Sequence, residues 1–268
     1  MSNHLTKTTN YQYLLCEIEN KVAVVTIDHE PGNKLNTDVY LELNQLFSEL
    51  EQNRDVHAIV LTGAGDESFV AGADINEMVD LDTVGMMDLT KITREAFSKI
   101  ENLNKPVIAA INGVARGGGL ELALSCDLRI ASAQAQFAFP EINLAVIPGG
   151  GGTQRIQKVV GQGIAKELLY FGEFIDANRA YELQIVNKVV PHKEILTTAK
   201  NWADKLAQKA PVALRMMKIA VNTGANVDLE SALTIEATSY DGAFATQDRK
   251  EAMTAFVEGR NPAAFTGK

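Results

Sequence analysis

Cysteine is scarce: Cys16 and Cys126 are the only two in 268 residues, too few for a disulfide framework and in keeping with a reducing compartment. The four histidines, at 4, 29, 57 and 192, are scattered without metal-ligand spacing, so a zinc centre is not expected. Neither G-x-x-x-x-G-K-[ST] nor a helix-opening G-x-G-x-x-G occurs, which removes the usual signs of nucleotide binding. Positive charge is also in short supply. With 25 Lys and Arg against 34 Asp and Glu, the net charge of −9 argues against nucleic acid or an anionic membrane as the main partner. An anionic ligand must then be met by local basic groups and helix ends. The nearly uncharged stretch 131–154 contains two prolines and four glycines and so cannot be a membrane span. Residues 1–10 are polar, with no apolar signal core and no Arg-rich transit pattern, so a cytoplasmic protein is expected. The lone Trp202 is expected to serve packing rather than ligand stacking.

What is present is an ordinary globular composition, 46% hydrophobic and 22% charged, of a length that suits one large domain or one domain with an appendage. Residues 13–19 and 22–28 read as strands about an Asn20-Lys21 turn. Thr37-Asp38 is the expected cap of a helix with Val39, Leu43, Leu46, Phe47 and Leu50 at helical spacing. A strand at 58–62, a glycine-kinked segment at 69–75 and a methionine-containing helix at 83–104 follow. A strand at 107–111, a helix at 118–126 and a strand at 128–131 continue the rhythm, which predicts an α/β protein with right-handed crossovers and mostly parallel strands. Beyond 188–190 and Pro191 the pattern is wholly helical, over 192–209, 211–223, 227–245 and 248–258. One internal boundary is drawn, between residues 1–194 and 195–268. No internal sequence repeat is visible.

The chemistry concentrates between Lys105 and Arg155. A buried-type strand, 107–111, leads through glycines 117–119 into a helix of strong helix formers, so backbone amides near Gly118 sit at a helix N-terminus. Glu121 lies in that first turn among leucines and alanines. Glu141 is the only charged residue between Arg129 and Arg155. A glutamate in such a setting is rarely buried unless it is paired or functional. Two of them beside a glycine-lined helix start have the form of a general acid/base pair next to an oxyanion hole. The plainer alternative is a pair of helix N-terminal charges favoured by the macrodipole. At twenty positions apart, no single helix face joins them.

Ala71-Gly72-Ala73-Asp74-Ile75, Gly117-Gly118-Gly119-Leu120-Glu121-Leu122-Ala123, Cys126-Asp127, Pro140-Glu141-Ile142, Pro148-Gly149 and Gly152-Thr153-Gln154-Arg155 occur in this order. Together they resemble the enoyl-CoA hydratase/isomerase (crotonase) family, from about Tyr13 to the C-terminus, and most of all its hydratases that keep both glutamates. The resemblance implies a crotonase-like ββα spiral core over 1–194. It also implies a C-terminal helical subdomain over 195–268 that covers the site and joins homotrimers or hexamers built as dimers of trimers. It implies reversible addition of water to a 2-enoyl-CoA to give a 3-hydroxyacyl-CoA, with no cofactor beyond the coenzyme A of the substrate.

By the same resemblance Glu121 orients and deprotonates water, Glu141 protonates the α-carbon, and the amides of Ala73 and Gly118 form the oxyanion hole. Substrate and CoA lie along Lys34, Leu35, Ala71, Ala73, Asp74, Ile75 and Asn76, with Gly118 and Gly149. The run 149–152 either offers an amide to the water or is a flexible turn. Many hydratases have lysine where Asn76 stands. Arg116, where relatives carry an apolar residue, is either a substitute phosphate contact or a solvated loop arginine. Met78, Met86 and Met87 read as core packing, or as an adaptable wall for an acyl chain. An isomerase, which moves one proton between carbons, is the alternative within the family. An RNA-binding role is disfavoured by acidity and by the intact glutamate pair.

Overall fold

The structure, a computed structural model, describes residues 11–268 and the backbone of 6–8. The segment 1–10 that was read for a signal core otherwise lies outside the described residues. β1 (Thr6–Thr8), β2 (Leu14–Glu19) and β3 (Val22–Ile27) form an antiparallel meander. Asn20 and Lys21 have φ of 51° and 67°, the left-handed pair that a two-residue hairpin turn requires. α1 (Thr37–Gln52) is capped by Asn36, whose side chain accepts from the Val39 amide at 2.9 Å, one residue earlier than the expected Thr37-Asp38 cap. β4 (Ala58–Gly63), β5 (Ser68–Val70), α2 (Ile75–Met78) and α3 (Thr83–Glu101) follow. Next come β6 (Val107–Ile111), β7 (Val114–Arg116) and α4 (Gly118–Ser125), then β8 (Leu128–Ser132), β9 (Gln136–Ala138), a 3-10 turn (Pro140–Leu144) and α5 (Gly152–Phe171). β10 (Ile175–Asp176), α6 (Ala177–Glu182), β11 (Lys188–Val190), α7 (Ile195–Ala207), α8 (Pro211–Gly224), α9 (Leu229–Phe244) and α10 (Gln247–Glu258) complete the chain.

The strands make two sheets, a seven-stranded one ordered β1-β2-β3-β4-β6-β8-β11 and a four-stranded one ordered β10-β9-β7-β5. From β3 onward every pairing of the large sheet is parallel. Each turn of the chain, β4-β5-α3, β6-β7-α4 and β8-β9-α5, gives one strand to each sheet and then a helix. This is the ββα spiral that the resemblance implies. Asn112 ties successive turns together: its Nδ2 donates to the carbonyls of Gly63 at 3.1 Å and Gly65 at 2.8 Å, and its Oδ1 accepts from the Gly63 amide at 3.3 Å.

Alternate residues of the central strands feed two apolar layers, as a period of two demands. Ile59, Leu61, Val107 and Ala109 join the main core with α1, α3 and α4. Ala58, Val60, Ile108, Ala110 and Ile130 face the other way, onto Ala199, Ala203 and Ala207 of α7, with Trp202 packed alongside. Strands covered on both sides read as near-continuous apolar runs, which is why 58–62 and 107–111 were legible. α8 and α9 pack on each other as a hairpin that buries little: no side chain of α8 is buried, and only Ser239 of α9.

Candidate active site

β7 delivers the chain to Gly117, whose φ of 51° and ψ of −124° start α4 abruptly while its amide donates to the Ala138 carbonyl at 2.9 Å. The helix therefore opens at Gly118. Facing it is the segment 71–74, held as a bridge beside Leu35: the Leu35 amide donates to the Gly72 carbonyl at 2.9 Å, and the Asp74 amide to the Leu35 carbonyl at 2.8 Å. Ala73 lies between these bonds, so its own amide points away from Leu35. The Ala73 nitrogen and the Tyr40 hydroxyl each lie 3.6 Å from where a Cβ on Gly118 would stand, and Leu35 Cδ1 lies 3.4 Å away. Among the described residues neither the Ala73 nor the Gly118 amide has a backbone acceptor. A helix N-terminal amide at Gly118 with the Ala73 nitrogen close by suits an oxygen that gains negative charge.

Glu121, one turn into α4, is only 4% exposed. Its Oε1 accepts from the amides of Gly150 at 2.9 Å and Gly152 at 2.7 Å, so the head of α5 grips the carboxyl. Burial pushes its pKa up, and these amides and the nearby Arg155 guanidinium pull part of the way back. The run 149–152 thus contributes Gly150 and Gly152 to Glu121, while Gly149, also expected at the site, is exposed near Thr90.

Glu141 enters in the first turn of the 3-10 segment and lies against Gly117: a Cβ there would stand 3.0 Å from Glu141 Oε1. Its Oε2 is buried and has no hydrogen-bond partner among the described residues. Burial first, and then the negative charge of Glu121, raises its pKa to about 7. Folding thus brings the two glutamates to the head of one helix. A carboxyl whose pKa rises on folding binds its proton more tightly in the native state, so ionised Glu141 opposes folding. Stability is lost as pH rises from about 4.5, the unfolded value, through about 7. Glu141→Gln is accordingly expected to raise the melting temperature relative to wild type at pH 8 and to change it little at pH 4.5. Equal effects at both pH values in thermal melts would contradict this.

The other expected residues are partly assembled. Leu35 and Ala73 are bridged to each other, and Ala71 is fixed by its amide, which donates to the Gly32 carbonyl at 2.9 Å. Asp74 caps α2, accepting from the Asn76 amide at 3.1 Å and from the Asn76 side chain at 3.0 Å, so both polar groups are occupied with each other. Ile75 is exposed, and Lys34 is half-buried with its carbonyl at 2.7 Å from the His29 ring nitrogen. Arg116 is exposed and its Nε donates to the Ala71 carbonyl at 2.5 Å, bracing the 71–74 segment. Sequence reasoning missed Tyr40 and the Arg155–Glu101 pair. Tyr40 was hidden in the apolar stripe of α1, and Arg155 stood in the motif with no visible partner. Among the described residues no cluster of three His, Cys, Asp or Glu could hold a metal, and no helix is long and apolar enough to cross a membrane.

Two sheets wound as a ββα spiral, with paired carboxyls at the head of a glycine-started helix, define a class. The chain belongs to the enoyl-CoA hydratase/isomerase family, whose profile matches residues 17–268. It is 44% identical to a short-chain-enoyl-CoA hydratase of Clostridium acetobutylicum, over 95% of this chain and 98% of that one. It is 43% identical to a crotonyl-CoA hydratase of Syntrophomonas wolfei, over 93% of this chain and 96% of that one. The crystal structure of an enoyl-CoA hydratase from Bacillus anthracis, 36% identical, superposes with a TM-score of 0.89 over 98% of this chain and 99% of that one.

Proposed function

We propose that the chain adds water reversibly across the double bond of a 2-enoyl-CoA, using Glu121 and Glu141 for the protons and the Ala73 and Gly118 amides for the thioester oxygen. The protein is an enoyl-CoA hydratase, a hydro-lyase. The observation that carries the residue assignment is the contrast between the two carboxyls. Burial raises the pKa of both, but at Glu121 two amides pull back toward the charged form, whereas Glu141 has a buried oxygen that no described group partners, which favours its protonated form. Glu121 takes a proton from water as the water oxygen bonds to the β-carbon. Charge moves onto the thioester oxygen, where the two amides receive it, and Glu141 gives its proton to the α-carbon. The product is a 3-hydroxyacyl-CoA. Donors aimed at the developing oxyanion carry much of such catalysis, with about 100- to 1,000-fold lost per donor removed. CoA is assigned to Lys34, Leu35, Ala71, Asp74, Ile75, Asn76 and Gly149 around this centre.

A panel of 2-enoyl-CoA substrates of different chain length, followed by loss of conjugated-enoyl absorbance, tests the reading. No turnover on any of them would refute it. A cytoplasmic location belongs to the same reading and rests on the two-cysteine composition.

The region from residue 195 is assigned to assembly as a homotrimer or a dimer of trimers. Support comes from large apolar side chains exposed on its helices, among them Met217, Leu229, Leu233, Tyr240, Phe256 and Val257. α7 completes the core of the sheet, so the division at 194/195 marks a change of role rather than a separate core. Light scattering is expected to give three or six times the mass of one chain, and a particle of single-chain mass at micromolar concentration would overturn the assignment.

A further inference from the structure

Glu121 rests on a support that the proton chemistry does not itself use. The loop that supplies its two amides is held from behind by Arg155, one turn into α5. Nη1 of Arg155 donates to the Gly150 carbonyl at 2.8 Å, and Gly150 is the residue whose own amide donates to Glu121. Nε and Nη2 donate to both carboxylate oxygens of Glu101, at the end of α3, at 3.2 and 2.7 Å. The guanidinium lies so close under the turn that a Cβ on Gly151 would stand 2.2 Å from Nη1, and Gly151 has a φ of 109°. Only glycine satisfies both demands there. α8 closes the arrangement: Asn222 Nδ2 donates to the Glu101 carbonyl at 3.0 Å, and Lys218 pairs with Asp127 at 2.8 Å. An unbroken path of polar contacts runs from α8 through Glu101, Arg155 and Gly150 to Glu121.

We propose that Arg155, braced by Glu101, is a positioning residue for the hydration, holding the Gly150 and Gly152 amides on Oε1 of Glu121 so that Oε2 is left to take the proton. This rests on the assignment of Glu121 as the base. A bidentate Arg–carboxylate pair fixes geometry as well as charge, and that geometry is handed on to the loop through the Gly150 carbonyl. The charged and titratable groups facing Glu121 are Glu141 from the 3-10 turn, Tyr40 from α1 and Arg155 from α5, with Glu101 of α3 behind Arg155. Arg155 is the cation among them. Its loss should therefore act on the ionisation of Glu121 as well as on its placement.

The test is the pH profile of kcat/KM with a short 2-enoyl-CoA for full-length Arg155→Gln, Arg155→Lys and Glu101→Gln, each with a thermal melt, beside Glu121→Gln. Arg155→Gln is expected to lose about tenfold or more in kcat with KM within about twofold. Its acid limb should move up by about one pH unit, because a cation near the carboxylate has gone. Arg155→Lys should restore the limb but only part of kcat, since it keeps the charge without the fork. Glu101→Gln should move the limb down, because an anion has gone. Melting temperatures that fall in both variants with the limbs unmoved would indicate a merely structural pair and overturn the proposal. So would wild-type kcat and limb in Arg155→Gln. Should that variant fail to fold, an unmoved limb and kcat in Glu101→Gln decides against the proposal. Wild-type hydration by Glu121→Gln would remove the base assignment and the clamp together, whereas an inactive Glu121→Gln beside a normal Arg155→Gln removes the clamp alone.

Discussion

Glu121→Gln and Glu141→Gln are each expected to lower hydration of a 2-enoyl-CoA by about 100-fold or more while leaving the fold intact. At 121 the glutamine carbonyl can still accept from the Gly150 and Gly152 amides, so the head of α5 keeps its anchor. The amide nitrogen that replaces the second oxygen cannot accept a proton. At 141 the loss is of the acid: the neutral amide takes the place of the carboxyl, but its N–H groups are far too weakly acidic to protonate carbon. The losses should not add, because both groups act on one water and one substrate in one transition state. The double variant is therefore expected to be little worse than the poorer single one. Moving a double bond needs no water, so an isomerase would depend on Glu141 and tolerate Glu121→Gln. Hydration and 3-enoyl to 2-enoyl isomerisation, measured in both single variants, separate the two activities. Full hydration by a folded Glu121→Gln would defeat the mechanism.

Two neighbouring glycines should fail in opposite ways. A side chain at 118 meets Leu35 Cδ1 at 3.4 Å and the Ala73 nitrogen and Tyr40 hydroxyl at 3.6 Å, ordinary contact distances that the fold can absorb. It would occupy the space in front of the Ala73 amide. Gly118→Val is thus expected to lose about 100- to 1,000-fold in kcat/KM, the scale of a lost oxyanion donor, with little change in melting temperature. At 119 a Cβ would stand 2.1 Å from the Val70 carbonyl oxygen, where no flexible group can give way. Gly119→Ala should cost about 1–3 kcal/mol or more of stability, as overpacking against backbone does. Normal kcat in Gly118→Val would argue against an oxyanion role, and an unchanged melt of Gly119→Ala would argue against this packing.

The elements that could be read from the chain were those whose physics is local. Val107–Ile111 is covered on both faces and so carries an unbroken apolar run, and its bounds were placed as the structure has them. The Asn20-Lys21 turn was legible from turn chemistry, and the helices α8 and α10 from the breaks that Pro211, Gly224 and Thr246-Gln247 make around them. β7, β9 and β10 were not, because strands of two or three residues leave no period to detect. They exist only because the spiral stacks one turn on the next. The first residue of α1 was misplaced by one because Asn36, Thr37 and Asp38 are all competent caps, and only backbone geometry selects Asn36.

The sequence by itself determined the cast of the site: two glutamates in apolar surroundings, glycines at the head of a helix, and no metal-ligand or nucleotide motif to compete with them. Their meaning as a set was tertiary. Glu121 and Glu141 are separated by a helix, two strands and a turn, and only the parallel pairing of β7 with β9 in the small sheet sets Glu141 against Gly117. Which glycines of 149–152 grip Glu121, and which arginine holds that loop, depends on how α5 meets α3 and α4. Composition determines that a carboxyl is costly to bury. Which partners offset that cost, and which carboxyl is left without one, is decided by packing over distances at which sequence spacing carries no information.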